Sequence, residues 1–99
     1  MIARYLPSAR EELREAIDYF DEQRPDLGQE FADEVDSTVA RILDNPLAWP
    51  KEGKIARICP THRFQYGIIY AVERTGIVIL AVMHLHRRPG YWKKRLKEL

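Results

Sequence analysis

The side chains able to do acid–base or phosphate chemistry fall in two places, Arg63 and the stretch from His84 to Tyr91. RNA cleavage without a metal needs a base for the 2′-hydroxyl, cations for the crowded phosphate and an acid for the leaving oxygen. Arg63, His84, His86, Arg87 and Tyr91 include all three types. Histidine titrates near neutrality and can both take and give a proton. His84 and His86 stand two apart at the end of an apolar run, which on a strand puts both on one face. A His-x-His pair also suits a metal, but the only other histidine is His62 and no acidic residue is close in sequence. The plainer reading is a pair of half-exposed histidines where a strand ends.

Directly after them come Arg88, Trp92, Lys93, Lys94, Arg95 and Lys97. These are phosphate-binding and base-stacking types, suited to an anionic polymer or an acidic partner. They equally describe a solvated basic helix.

The elements that must position these groups can be read from periodicity. Ile2–Leu6 is a short strand ended by Pro7. Ser8 and Glu11 form a capping box that predicts a helix from Ala9. Leu13, Ala16, Ile17 and Phe20 form its apolar stripe, with Glu11, Glu12, Arg14, Glu15 and Asp18 on the other faces. Arg24-Pro-Asp-Leu-Gly28 breaks it. A second helix begins near Gln29, carries Phe31, Val35, Val39, Ile42 and Leu43, and stops at Asn45-Pro46.

Beyond Pro50 the period falls to two. Lys54–Cys59, Phe64–Glu73 and Ile77–His86 read as strands, the last two joined by a short turn at 74–76. Arg63 opens one strand and the histidines end its neighbour, so an antiparallel pairing brings them together. Tyr91–Leu99 reads as a final helical turn or two. The expected architecture is α+β in the order β-α-α-β-β-β, one domain over residues 1–99, with a helix hairpin on an antiparallel sheet and a short C-terminal helix. The last two strands are apolar on both faces, and one hairpin covers only one. The second face needs a cover from the chain's own tail or from another molecule.

Together several spacings resemble the RelE/ParE superfamily of toxins from bacterial toxin–antitoxin modules. They are Ala9-x3-Leu13-x2-Ala16-x2-Tyr19-Phe20, Arg24-Pro-x-Leu-Gly28-x2-Phe31-x3-Val35, Asn45-Pro46, Arg63-Phe-x-Tyr66-x-Ile-Ile-Tyr70 and Ile79-Leu-Ala-Val82-x-His84-x2-Arg87. The resemblance implies growth inhibition, no cofactor, and a cognate antitoxin whose flexible segment wraps the toxin and offers an owner for the second sheet face. RelE-like members cut mRNA on the ribosome, whereas ParE-like members poison DNA gyrase. Arg63 matches the superfamily's strand arginine. His84, His86, Arg87 and Tyr91 occupy the region of the ribonuclease branch's catalytic groups. Arg24-Pro-x-Leu-Gly28 and Arg87-Arg88-Pro89 look ParE-like, so gyrase is the expected target. The ribosome with its mRNA is the alternative, and a non-catalytic binding module is a third reading.

Composition sets the frame. At 99 residues with 45% hydrophobic and 31% charged side chains, the chain has the make-up of a soluble globular domain. The longest apolar run is too short to cross a bilayer, no signal peptide is read at the N-terminus, and a single cysteine excludes an intrachain disulfide, so the cytoplasm is the expected compartment. The net charge of +1 hides an asymmetry: residues 1–50 carry 5 basic and 12 acidic groups, residues 51–99 carry 11 and 3. Such a split points to partner binding, or to acidic helices lying beside a basic sheet.

Overall fold

The computed structural model describes residues 1–99. Its elements are β1 (Ile2–Tyr5), α1 (Pro7–Gln23), α2 (Leu27–Asp44), β2 (Lys51–Glu52), β3 (Ala56–Pro60), β4 (Tyr66–Val72), β5 (Gly76–His84) and a C-terminal 3-10 helix (Lys93–Glu98). The helix hairpin lies on a five-stranded sheet of order β1-β5-β4-β3-β2. The α+β class agrees with the sequence, and the order β-α-α-β-β-β holds apart from the two-residue β2, which adds a fifth strand. The sheet is mixed rather than antiparallel, because β1 runs parallel to β5. A parallel neighbour needs a long connection, and here the helix hairpin and β2–β4 all lie between the two strands.

Local chemistry moves several boundaries. Pro7, not Ala9, opens α1, since its fixed φ suits a first helical position. The Ser8 capping box does not form, and the Ser8 hydroxyl is buried without a partner. The hairpin turn requires Gly28: a Cβ there would stand 2.5 Å from the Ile17 carbonyl oxygen. The Gly28 N–H donates to Oδ1 of Asp21 at 2.8 Å, tying the second helix to the end of the first.

β4 starts at Tyr66 because Phe64 and Gln65 adopt left-handed φ values of 75° and 55°. Phe64 is held there by ring contacts with Phe20 at 4.9 Å and Phe31 at 5.3 Å. Tyr66 packs on Phe31 at 4.7 Å, so Tyr66, Ile68 and Tyr70 share the helix side of the sheet.

The alternation expected along the last strand is broken by a bulge. Ile69 pairs with Ala81 and Tyr70 with Ile79, which leaves Leu80 as an extra residue. Ile77 and Ile79 therefore share the helix side with Val82 and His84, while Ala81 and Met83 face away. Without the extra residue His84 would point from the opposite face. The second face is covered by the chain itself. Trp92, 2% exposed, joins the core beside Ile58, Ile69 and Met83, with Tyr91 and Leu96 packed against it.

Candidate functional site

The parallel ladder with β1 ends at Tyr5 opposite Ile79, and the Leu6 N–H donates to the Ile79 carbonyl at 3.0 Å. From Leu80 onward the outer edge of β5 has no strand beside it. Two side chains take the strand's place. Oε1 of Glu12 accepts from the Val82 N–H at 3.0 Å, and the Arg95 guanidinium donates to the Leu80 carbonyl at 2.9 Å. The two are joined to each other by bonds of 2.9 and 3.0 Å in a forked pair. The Tyr91 hydroxyl donates to Oε2 of Glu12 at 2.7 Å. Arg87 stacks over the Tyr91 ring at 4.0 Å, with Nη1 3.8 Å from the same carboxylate. The Glu12 and Arg95 side chains are only 11% and 12% exposed.

This clasp sets the local electrostatics. Burial, and then the bond to Glu12, push the Tyr91 hydroxyl well above the ordinary tyrosine range. The Glu12 bond raises the Arg95 guanidinium further still. Both groups are fixed in one protonation state at neutral pH, so Tyr91 is poorly placed to exchange protons. Tyr70 is pushed up to about 12, chiefly by burial, and its hydroxyl donates to the Pro46 carbonyl.

Folding raises these tyrosine pKa values, so the stability they give is complete below the unfolded value near 10. It is lost as pH climbs through the folded values. Alkaline unfolding should therefore set in above about pH 10 and coincide with tyrosinate absorbance. Full tyrosine ionisation near pH 10 in a still-folded chain would contradict it.

His84 ends β5 with its ring edge-on to Tyr66 at 5.2 Å. His86 lies in the following turn rather than on the strand, yet its ring is 5.2 Å from that of His84. Its backbone N–H donates to Nδ1 of His84, and its Nε2 stands 3.0 Å from Oε1 of Gln65. His84, Tyr66, Tyr19, Glu15 and Arg87 line a cleft of about 180 Å³ against α1. No third histidine, cysteine or carboxylate is arranged with the histidines to hold a metal ion.

Arg63 does not join this group. It reaches α2 instead, where it donates to Glu30 at 3.0 Å and stacks over the Phe64 ring at 4.7 Å. Arg63 and Arg24 together hold the Glu30 carboxyl below the usual carboxylate range. The left-handed residues Phe64 and Gln65 turn the chain between Arg63 and the strand, which defeats the argument from adjacent strand ends.

The basic segment divides as well. Trp92 and Arg95 are structural, one in the core and one in the clasp. Arg88, Lys93, Lys94 and Lys97 are exposed, and none has a carboxylate partner. Glu12 was missed in the sequence because it reads as a polar residue beside the apolar stripe. A signal was present: Ala9 and Ala16, at i−3 and i+4, are the small residues that bring α1 close to the sheet, and Glu12 lies between them.

A family model described as "ParE toxin of type II toxin-antitoxin system, parDE" matches residues 3–89. Among solved structures, one titled "Chromosomal ParDE TA system from P. aeruginosa" is similar at a TM-score of 0.75 and 18% identity. The match covers 87% of this chain and 97% of that one. No curated protein sequence matches the chain.

Proposed function

The chain belongs to the ParE toxin family of type II toxin–antitoxin systems, and from that premise we propose that it arrests bacterial growth by poisoning DNA gyrase. It is the toxin component of such a module, which implies a cognate antitoxin as its partner. In this reading residues 1–99 act as one toxin domain in the bacterial cytoplasm. No helix is long and apolar enough to cross a membrane.

One observation chiefly supports action by contact over ribosome-dependent mRNA cleavage. Two of the five groups offered for catalysis are held by other partners. Arg63 is engaged by Glu30 on α2, and the Tyr91 proton is committed to Glu12. Only His84, His86 and Arg87 remain around the cleft beside α1. These three still include a cation and two acid–base groups, so the two readings part at the histidines.

The expected result concerns the histidines. Induced expression of the chain should arrest growth, a co-expressed antitoxin should relieve it, and His84→Ala/His86→Ala should arrest growth as the parent does. A ribonuclease would lose activity by a factor on the order of 10²–10⁴ in that variant. Loss of toxicity with the protein still folded would favour the ribonuclease reading.

A further inference from the structure

We propose that the outer face of the C-terminal 3-10 helix binds the phosphate backbone of duplex DNA, independently of base sequence. The family match ends at residue 89, short of the 3-10 helix that carries the three lysines.

A 3-10 helix has three residues per turn, so its side chains fall into three columns. Trp92 and Arg95 form the inner column, buried in the core and the Glu12 clasp. Lys94 and Lys97 form the opposite column, and both are exposed. Glu98, the acidic side chain of the segment, is exposed at the end of the Trp92–Arg95 column and forms no ion pair with the lysines. Lys93 and Arg88 extend the exposed array, and all four cations lack an ion-pair partner. Anchoring by Trp92 and Arg95 fixes the backbone beneath these cations, so binding has side chains but little backbone left to order.

Complementarity favours nucleic acid over an acidic peptide. Lys94 and Lys97 rise along the helix by about 6 Å, while a DNA strand offers a phosphate every ~3.4 Å of axis, so each lysine can meet a different phosphate. A peptide would want an apolar anchor among these cations, and the outer column has none. The only tryptophan of the segment is buried, which removes the platform on which an unpaired base would stack. What remains suits the backbone of a duplex. The acidic helix layer on the far side of the sheet would repel DNA and turn the lysines toward it.

The test uses the full chain and a labelled duplex of roughly two helical turns, with binding followed by fluorescence anisotropy. Four phosphate contacts predict a slope of about −3.6 in log affinity against log salt. Affinity should then fall on the order of 10²-fold between about 50 and 200 mM salt. K93Q/K94Q/K97Q should retain its melting midpoint and flatten the slope to about −0.9. A wild-type slope near zero would overturn the proposal, as would a folded triple variant that binds like the parent. Tighter binding of a single strand than of the duplex would also overturn it. So would capture of a glutamate-rich peptide through these lysines with no binding of the duplex, which would make the surface a protein site.

Discussion

Glu12→Ala should lower stability by about 3–5 kcal/mol, toward the low end because the pair retains some exposure. A domain of this size holds only about 5–15 kcal/mol in all, so the loss is a large part of it. The substitution leaves the Arg95 guanidinium without its counter-charge, the Tyr91 hydroxyl without an acceptor and the Val82 N–H bare. The tail should then lift from the β5 edge and carry Trp92 out of the core. A fall in denaturation midpoint with a red-shifted tryptophan emission is the expected signature. E12L/R95M, which removes both charges, should recover much of the loss, because the cost comes mainly from stranding one of them. An unchanged midpoint for Glu12→Ala would show that the clasp contributes nothing.

Phe31→Ala should cost about 3–5 kcal/mol. The side chain has no exposed surface and touches the rings of Phe20, Phe64 and Tyr66. Its effect should extend beyond the cavity. Phe64 and Gln65 hold left-handed backbone that is strained for such residues, and ring packing on Phe31 keeps Phe64 there. Near-ultraviolet circular dichroism should therefore lose aromatic signal before the helices melt. Phe31→Leu, which keeps most of the volume, should cost far less. If Phe31→Ala melted like the parent, the packing of α2 on the sheet would be misplaced.

The helices and the two long strands were legible because their patterns are local. Leu13, Ala16 and Ile17 repeat at helical spacing, and Phe31, Val35 and Ile42 do so again. Pairing decisions over long distances were not. Nothing in Ile2–Tyr5 says that it will lie parallel to β5, and nothing in Ile77–His84 marks Leu80 as a bulge. That bulge decides which face receives His84. The split of the basic segment was legible only in part. Lys94 and Lys97 stand out, but the burial of Trp92 and Arg95 depends on Glu12, some eighty positions away. Strand order puts Arg63 beside the histidines, and the resemblance matches it to the superfamily's strand arginine. Its actual partner, Glu30, lies on α2, and no spacing within the strands could indicate it.

Poisoning of gyrase can be measured with purified components. Purified chain should be added to gyrase and relaxed plasmid, with programmed ribosomes and a primer-extension readout run in parallel. The expected result is loss of supercoiling with intact message, and no change in either when Arg63 or His84 is replaced by alanine. Ribosome-dependent cuts in the message with supercoiling untouched would contradict it.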